Sequence, residues 1–579
     1  MVEPNPPSPV PERREAACVL RDGTRLRTIL LIPHGPGPWP ALLTRHPYDV
    51  TRDEHEGMLD AGRLVAAGYL VALQDVRGRH GSEGVFRPST QETADGADAV
   101  AWLAALPECT GSVGMWGASY ASETQFSALL GDAPALRSIA AALSPAMSAF
   151  DGFRFRGGVP EIGSTLAWTH HAIAPDLIAR TASPDERDAE QARRQVTERA
   201  LATGDAYRAG ALHTDSGAEA IVRWGLDRLR DPFGAESHRA GKIIGRVGAI
   251  DVPVLLIGGW FDVFLGSTLE IHRRLLRRAE ETGGPVPRLL VGPWSHDNLS
   301  GRIAGVDFGP SASAAHRGDG GDLTERHLRW FDATLRGGTQ DTPPVRVFLM
   351  GADRWIEPPR FPPPHARTLD LHLGAGGSLT PDPSPHPGER RLTSDPANPV
   401  PTCGGAVLLF APYGPGPADQ RAIESRPDVL SWRSAPLAGP LTAMGAIHAA
   451  IHLTTTGTDA DLVVRLCDEH PDGRSTLVAD GVRRASARFT DPVTGEGERR
   501  PVVPGEELEL TVDLWSTAHV FRSGHRIRVD LAPSSSPRWD IGVNAHEPDG
   551  VPAPAEHTIR YGTGAPSRLV LTTLPDVPH

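Results

Sequence analysis

One serine in this sequence stands where a catalytic nucleophile would be placed. Ser119 follows the predicted strand Ser112–Trp116 and precedes the predicted helix Ser122–Leu130. A sharp turn between two such elements exposes a serine hydroxyl at the carboxyl end of the strand. Gly117 matches the G-x-S-x-G pattern of this turn, whereas Ala121 replaces its second glycine. Taken alone, the segment predicts a nucleophile no more strongly than a serine in an ordinary turn.

Two further residues would complete a catalytic triad with this serine. Asp262 follows the predicted strand Val254–Gly258, and His296 follows the predicted strand Arg288–Val291 through a Gly-Pro-Trp-Ser turn. A serine hydroxyl needs a base to take its proton, and the base needs an acid that fixes its tautomer. The order Ser, Asp, His is the order used by α/β-hydrolases. With 23 histidines in the chain, it is the position of His296 after this turn that favours the catalytic role.

The elements that would position these residues form a repeating βαβ pattern. Continuous apolar runs predict buried parallel strands, and amphipathic segments between them predict crossover helices. The predicted strands are Leu26–Ile32, Ala41–Thr44, Tyr69–Gln74, Ser112–Trp116, Val254–Gly258 and Arg288–Val291, and the predicted helices are Glu56–Ala67, Glu92–Leu106 and Ser267–Glu281. All three triad candidates then fall at the carboxyl ends of strands, where catalytic groups of open α/β sheets gather.

Two changes of pattern divide the 579 residues into parts. Between about Ser144 and Gly245, strand signals vanish and the helices Pro184–Ala202 and Ala218–Leu229 are predicted. Beyond Pro358, short strand-like runs separated by turn residues predict a β-sandwich or jelly roll. These runs are Ile451–Thr455, Leu462–Leu466, Leu508–Val512 and Ile527–Leu531. We expect an α/β domain in two parts, 1–145 and 243–354, a helical insertion at 146–242, and a β domain at 355–579.

Composition excludes several classes of function. The formal net charge is −13 and no long basic run occurs, so nucleic acid is not an expected partner. Lys242 is the only lysine, and its neighbours match no Schiff-base, phosphate-loop or Ser/Lys motif. The sequence also lacks H-E-x-x-H and the other metal-binding motifs sought. We therefore expect neither a metal nor an organic cofactor.

The expected location is the cytoplasm. The four cysteines, Cys18, Cys109, Cys403 and Cys467, lie far apart and form no C-x-x-C pair, as is typical of reduced thiols. The first residues lack the basic start and apolar stretch of a signal peptide. No apolar run approaches the roughly 20 residues that a membrane span needs. We expect a soluble protein without a membrane partner, and a homodimer is compatible with the sequence.

Several segments together resemble the cocaine esterase and X-prolyl dipeptidyl peptidase-like serine hydrolases, above all the cocaine esterase branch. The resemblance covers nearly the whole chain. Its motifs are Arg45–Asp49, Asp75–Gly84, Gly117–Tyr120, Gly258–Asp262, Gly292–His296, Gly416–Arg421, His470–Arg474 and Gly524–Arg528. It implies an α/β-hydrolase domain, a helical cap inserted in that domain, and a C-terminal jelly roll. These boundaries agree with those that composition predicts.

The resemblance also implies roles for residues outside the triad. The hydroxyl of Tyr48 and the backbone N–H of Tyr120 would form an oxyanion hole, in which one donor can contribute about 3 to 4 kcal/mol. Phe264 stands where the esterase branch has an aromatic residue, which indicates an apolar acyl pocket. Trp168, in the predicted cap, would close that pocket, although packing within a helix explains it equally well.

Some residues depart from the pattern of the relatives. Ser122 replaces the glycine that usually stands three residues after the nucleophile. Val263 and Phe264 follow Asp262, where relatives acting on α-amino acid esters place carboxylates. The segment Asp75–Gly84 is expected to be a structural loop that bridges the sheet and the edge of the site through its Asp75 and Arg77 side chains.

Together these residues predict acyl transfer through a serine. Ser119 would attack a carbonyl, His296 would take and return the proton, and Asp262 would orient His296. The expected substrate is a small-molecule carboxylic ester. An amide-cleaving relative, such as an X-Pro dipeptidyl peptidase or a β-lactam acylase, is the alternative. A third hypothesis is a non-enzymatic protein in which the β domain binds carbohydrate or a partner and the site is idle.

Overall fold

A mixed sheet of ten strands forms the first part of the fold. The computed structural model describes residues 11–52, 58–145, 154–207, 243–318, 320–409, 411–491, 497–546 and 551–575. Within these residues, the central strands of the sheet are parallel and antiparallel strands close both edges. Across the sheet the order is Glu12–Val19, Arg25–Ile32, Leu70–Asp75, Trp39–His46, Cys109–Ala118, Leu136–Ala142, Val254–Phe261, Arg288–Ser295, Val345–Leu349 and Arg354–Ile356.

Helices cover both faces of this sheet. Leu42 packs into one buried cluster, and its neighbour Leu43 packs into another on the opposite face. Because both faces are covered, the central strands are apolar throughout, and Val254–Phe261 is buried at every position. The helices on the Leu42 face are Ala61–Ala66 and Leu323–Leu335, and those on the Leu43 face are Glu92–Ala104, Tyr120–Leu130, Ile243–Arg246 and Leu265–Thr282.

The predicted sheet and crossover helices are confirmed with three differences. The run at Leu26–Ile32 is antiparallel to both neighbouring strands, the parallel strand Leu136–Ala142 was not predicted, and one helix is shorter. The helix predicted over Glu56–Ala67 begins only at Ala61. Asp60 stops it from extending further towards the N-terminus, because its carboxylate accepts a 3.0 Å hydrogen bond from the backbone N–H of Arg63 and so caps the helix. Residues 53–57 lie outside the described part of the chain.

A largely helical segment interrupts the sheet. Its described part contains the helices Ile162–Trp168, Ala174–Ala179 and Pro184–Thr203, with a π-helical turn, Thr169–Ile173, between the first two. The helix predicted over Pro184–Ala202 is confirmed, and the one predicted over Ala218–Leu229 falls outside the described residues. The expectation of no strands here was wrong. Phe155–Arg156 pairs with Val159–Pro160, because the two glycines between them adopt positive φ angles and reverse the chain.

Two antiparallel sheets follow and share one buried core. The larger holds Leu379–Thr380, Arg367–Leu373, Arg568–Leu574, Leu441–Thr455, Ala555–Tyr561 and Gly388–Ser394 in this order, with Leu508–Phe521 also paired to Leu441–Thr455. The smaller holds Leu430–Arg433, Arg526–Ala532, Asp461–Glu469 and Ser475–Arg484. The run predicted at Ile451–Thr455 is only the end of a strand of 15 residues, since His448 and His452 interrupt its apolar pattern.

Short elements complete the described chain. They are the hairpins Arg302–Ile303 with Val306–Asp307 and Phe489–Thr490 with Gly497–Glu498, the α-helix Arg421–Glu424, and the 3-10 helices Asp205–Tyr207, Val247–Ala249, Pro310–Ala312, Ala375–Gly377 and Ala485–Ala487. Among the described residues, none of the helices has both the length and the apolar character needed to cross a bilayer.

A buried network of charges joins the helical segment to the C-terminal sheets. Arg538 is fully buried and places Nη1 2.5 Å from Asp480 and Nε 3.2 Å from Glu161. Arg156 donates a 2.6 Å hydrogen bond to the backbone carbonyl of Asp480, and its guanidinium lies 3.5 Å from the ring centre of Trp515. A buried ion left without its partner is strongly destabilising. This network therefore fixes how the two parts of the chain pack.

We expect Arg538→Leu to lower the free energy of unfolding by about 3–5 kcal/mol, because Asp480 and Glu161 would remain buried without a guanidinium. Urea unfolding followed by tryptophan fluorescence measures this loss. The matched control is Arg560→Leu, which removes an exposed ion pair with Glu507 and should cost no more than about 1 kcal/mol. Equal losses in the two variants would contradict the role given to the buried network.

Candidate active site

The backbone at Ser119 adopts a conformation that is rare outside glycine. Its φ is 60° and its ψ is −122°, and the helix Tyr120–Leu130 begins with the next residue. Such a conformation costs about 1–3 kcal/mol and persists only where surrounding packing enforces it. A Cβ added to Gly117 would lie 2.5 Å from the Cβ of Ala121 and 3.0 Å from Oγ1 of Thr44. The methyl group of Ala121 thus fills the space beside Gly117, so one glycine suffices for this turn.

The structure brings Asp262 and His296 together. They follow the neighbouring parallel strands Val254–Phe261 and Arg288–Ser295, and Nδ1 of His296 lies 2.8 Å from Oδ1 of Asp262. The carboxylate is fully buried, and the imidazole is 9% exposed. An ionised carboxylate at this distance holds the proton on Nδ1, which leaves Nε2 free to act as a base.

Burial and pairing shift the pKa values of this pair. Burial raises the pKa of the Asp262 carboxyl, although the hydrogen bond and charge of His296 and the backbone N–H of Phe264 act against it. For His296, burial favours the neutral ring, but the hydrogen bond and charge of Asp262, with a smaller contribution from Asp297, outweigh it and raise the pKa. His296 therefore gains its proton at a higher pH than an isolated imidazole does.

An open cavity of about 370 Å³ brings together four of the predicted site residues. Ser119, His296, Tyr48 and Trp168 all line it. Three chain segments that are distant in sequence thus meet at the carboxyl edge of the parallel strands, and the helical segment supplies the tryptophan. An acyl group of modest size fits such a volume.

The hydroxyl of Tyr48 has a defined orientation. Nε1 of Trp168 donates a 3.0 Å hydrogen bond to the Tyr48 oxygen. Burial raises the pKa of Tyr48 to about 12, although hydrogen bonds with Trp168 and Ser119 act in the opposite direction. The phenol stays protonated at neutral pH. Because an indole N–H can only donate, the Tyr48 proton points away from Trp168.

Tyr120 offers the site its backbone rather than its side chain. Its hydroxyl donates a 2.9 Å hydrogen bond to buried Glu92 and accepts one of 3.2 Å from the backbone N–H of Ser89. Glu92 is in turn paired with buried Arg45 at 3.2 Å. The backbone N–H of Tyr120 belongs to the first turn of its helix, where amides have no acceptor within the helix.

Phe264 lies beside the triad and is not one of the described residues that line the cavity. The side chain is 3% exposed, and its ring centre is 5.2 Å from that of His296 in an edge-to-face arrangement. This contact restricts the imidazole. The role of Phe264 as a substrate contact remains a prediction.

Arg79 is the residue of the Asp75–Gly84 loop that reaches the site. Its buried guanidinium donates to three backbone carbonyls, those of Pro47 at 3.0 Å, Ile173 at 2.9 Å and Ala172 at 3.1 Å. It therefore links the loop that carries Tyr48 to the π-helical turn that follows Trp168. In the sequence, the feature that could have identified this role of Arg79 was an arginine within a glycine-rich loop.

Asp75, one of the two residues expected to make that link, does hold the loop of Tyr48, because its carboxylate accepts a 3.1 Å hydrogen bond from the backbone N–H of Val50. Asp75 pairs with Arg27 at 2.5 Å, and Arg77 pairs with Asp95 at 2.7 Å. Both pairs fasten the loop to the antiparallel edge of the sheet and to the helix Glu92–Ala104. The expected bridge thus exists through Asp75, and Arg79 adds a second link to the loop of Tyr48.

Ser122 replaces a glycine of the relatives without disturbing this arrangement. Its side chain is fully buried, and Oγ lies 2.6 Å from Oγ of Ser144. The backbone N–H of Ser144 donates a 3.1 Å hydrogen bond to Thr268. The additional hydroxyl is therefore satisfied and ties the nucleophile helix to the next strand end.

Potential metal ligands gather elsewhere. Among the described residues, groups of three metal-ligating side chains occur at Asp468, His470 and His525 and at Glu424, Cys467 and Asp530. Both groups lie in the C-terminal part of the chain, away from the cavity that holds Ser119.

Comparison with known proteins places this geometry in a family. Residues 22–298 match the X-Pro dipeptidyl-peptidase (S15 family), and residues 337–570 match the X-Pro dipeptidyl-peptidase C-terminal non-catalytic domain. The chain is similar to the cocaine esterase of Rhodococcus sp. (strain MB1 Bresler), with 33% identity over 95% of this chain and 96% of that protein. The chain belongs to the S15 family.

Solved structures agree with this assignment. An aminopeptidase from the marine sediment archaeon Thaumarchaeota archaeon is similar, with a TM-score of 0.83, 25% identity, and coverage of 99% of this chain and 98% of that chain. A selenomethionine-labelled α-amino acid ester hydrolase shares the fold, with a TM-score of 0.81, 23% identity, and coverage of 98% and 97%. The family resemblance predicted from sequence is confirmed, and this S15 protein is a hydrolase of α/β-hydrolase type with a PepX C-terminal domain.

The paired Asp262 and His296 predict a specific pH dependence for this S15 hydrolase. A base must be neutral, so kcat/KM should fall as the pH drops through the raised pKa of His296. In Asp262→Asn the carboxylate is lost, so burial lowers the pKa of His296. The acid side of the pH–rate profile should therefore move to lower pH, while kcat falls about 10⁴-fold. Steady-state rates across the titration range of imidazole measure both effects.

Asp297→Asn is the matched control, since it removes a neighbouring charge that only weakly raises the pKa of His296. The acid side of its pH–rate profile should move in the same direction by a smaller amount, with kcat largely retained. An acid side that stays in place or moves to higher pH in Asp262→Asn would refute the assignment of His296 as base.

Proposed function

We propose that this chain hydrolyses carboxylic esters of small molecules through an acyl-enzyme. One observation carries the proposal: Ser119, Tyr48 and His296 line one cavity, and His296 is hydrogen-bonded to a fully buried Asp262. Nucleophile, oxyanion donor, base and orienting acid are then within one site. The esterase named among the relatives supports the same chemistry.

The proposed reaction has two halves. Oγ of Ser119 attacks the ester carbonyl while Nε2 of His296 takes its proton, and the alcohol leaves with that proton. Water then attacks the acyl-enzyme, His296 again takes a proton, and Ser119 is restored as the acid departs. Asp262 stays ionised throughout and stabilises the imidazolium that forms in each half.

The oxyanion would be held by Tyr48 and by the backbone N–H of Tyr120. Because Trp168 donates to the Tyr48 oxygen, the phenolic proton is directed away from Trp168, and Tyr48 also hydrogen-bonds with the nucleophile Ser119. A donor that is oriented before the reaction needs little reorganisation when the charge develops. We assign Trp168 a second role as part of the cavity wall, against which an acyl group packs.

The walls of the cavity favour uncharged or cationic substrates. Met58, Trp116 and Leu408 provide apolar surface. Asp297 is exposed and is the one carboxylate among the described lining residues, which include neither lysine nor arginine. Asp297 also supports a second candidate, cleavage of an amide next to an N-terminal ammonium, as in the X-Pro dipeptidyl peptidases of this family.

The domain roles are part of the same proposal. Residues 1–145 and 243–354 would form the catalytic domain, 146–242 the cap that supplies Trp168, and 355–579 a jelly roll. The two antiparallel sheets with a shared core support the last assignment.

The substrate class is tested with matched panels of p-nitrophenyl esters, X-Pro anilides and acylated β-lactams. We expect burst release of p-nitrophenol from short acyl esters, and a loss of kcat of about 10⁶-fold in Ser119→Ala. Ser122→Ala is the control, because its hydroxyl faces Ser144 and not the cavity, and its kcat should stay near that of the wild type. Hydrolysis of anilides alone would favour the peptidase, and no turnover or fluorophosphonate labelling would refute both.

The oxyanion assignment is tested by two variants that each remove one phenolic oxygen. Tyr48→Phe should lower kcat about 10²–10³-fold with little change in KM, because the lost hydrogen bond is made in the transition state. Tyr120→Phe should keep most of the activity, since its phenol binds Glu92 and only its unchanged backbone serves the oxyanion. Stopped-flow acylation rates compare them directly, and equal losses would contradict the assignment.

A further inference from the structure

A second cavity, of about 250 Å³, lies between the hydrolase sheet and the C-terminal sheets. Phe261 and Phe308 form part of its wall on the hydrolase side, and Phe261 immediately precedes Asp262. Three imidazoles, those of His470, His519 and His525, line the other side. None of them takes part in the chemistry at Ser119.

A buried carboxylate organises these imidazoles. Asp468 is 3% exposed, and its Oδ1 lies 2.8 Å from Nδ1 of His525 while its Oδ2 lies 3.0 Å from Nε2 of His519. The rings of His470 and His525 are 4.4 Å apart between centres. One donor atom each from Asp468, His470 and His525 lies within 4.8 Å of the other two.

Hydrogen bonds fix the tautomer of His470. Nη2 of Arg474 lies 3.1 Å from Nδ1 of His470, and Nε2 lies 3.1 Å from Oγ1 of Thr476. A guanidinium can only donate, so Nδ1 carries a lone pair and Nε2–H donates to Thr476. An imidazole whose second nitrogen is held by an outer partner is the usual arrangement of a metal-ligating histidine.

The other charges at this cavity leave room for a cation. Arg522 is engaged by the backbone carbonyl of Gly351, and Arg474 is exposed and can turn into solvent. Asp353 also lines the cavity, and its carboxylate lies 3.7 Å from Nη2 of Arg522, so these two charges offset each other.

We propose that Asp468, His470 and His525 bind one borderline transition-metal ion such as Zn²⁺, with His519 orienting the carboxylate. Imidazole nitrogen with carboxylate oxygen is a donor set that this ion takes at about 2.0–2.2 Å. The donors, now up to 4.8 Å apart, would close around the ion as Arg474 turns outward. Water would complete the coordination.

The second group of ligating side chains does not compete for this role. Nε of Arg528 lies 3.1 Å from Glu424 and 3.0 Å from Asp530, between the two carboxylates. A fixed guanidinium already neutralises that pair, and Cys467 beside it is fully buried.

An ion at the second cavity would bind residues of the C-terminal part alone, and backbone hydrogen bonds join that part to the hydrolase part. The backbone N–H of Val520, between His519 and the turn at His525, donates 2.8 Å to the carbonyl of Met350, and Met350 N–H donates 2.9 Å to Ala518. A ligand that binds only the folded state raises its stability in proportion to occupancy. Loading the site should therefore raise the unfolding temperature.

The test uses untagged full-length protein stripped of metal with a chelator and titrated with Zn²⁺ by calorimetry. We expect one equivalent to bind, with an affinity at least about tenfold weaker in His470→Gln and in His525→Gln. His386→Gln, at an exposed histidine outside the cluster, is the matched control and should bind as the wild type does. The unfolding temperature should rise with Zn²⁺ in the wild type and the control only.

Retained ester hydrolysis and circular dichroism show that the variants are folded. His470 is only partly buried, so His470→Gln carries the test if His525→Gln fails to fold. The proposal is overturned if no saturable equivalent binds, if His470→Gln binds as tightly as the wild type, or if binding is lost in His171→Gln instead, which would move the ion to the cavity of Ser119.

Discussion

The hydrogen bond between Asp262 and His296 constrains the rest of the structure. A carboxylate with no exposed surface is costly to keep ionised, and the imidazole N–H at 2.8 Å offsets part of that cost. The bond forms because two parallel strands are neighbours in a register that sets Ser295 opposite Phe261. A shift of one residue would turn the side chains to opposite faces. The buried core of the sheet thus maintains the geometry of the pair.

The nucleophile depends on close packing at one strand end. Ser119 holds a strained backbone because the helix after it starts at once, and the strand before it must pass close to that helix. Only Gly117 leaves space for the methyl group of Ala121. The packing of neighbouring residues thereby maintains the strained backbone of the serine, as is expected of a functional turn.

The helical segment and the C-terminal sheets contribute to this edge of the sheet from outside. Arg79 holds the carbonyls around the π-helical turn and the loop of Tyr48 at once, and Trp168 orients the Tyr48 hydroxyl. π-helical turns recur at functional sites because they shift side chains out of the regular helical order. Farther out, Arg538 ties the same segment to the C-terminal sheets through Glu161 and Asp480.

The sequence by itself determined the family and most of the central parallel strands, because apolar runs, turn residues and motif spacing are local properties. It also determined which serine, aspartate and histidine would follow successive strands. It missed the strand Leu136–Ala142 and did not reveal that Leu26–Ile32 is antiparallel to its neighbours. Only the tertiary structure decided that Phe264 packs on His296 and that Arg79 rather than Arg77 reaches the loop of Tyr48. No sequence pattern indicated that Asp468, His470 and His525 lie close together. Each of these depends on contacts between residues distant in sequence, whose direction no local pattern specifies.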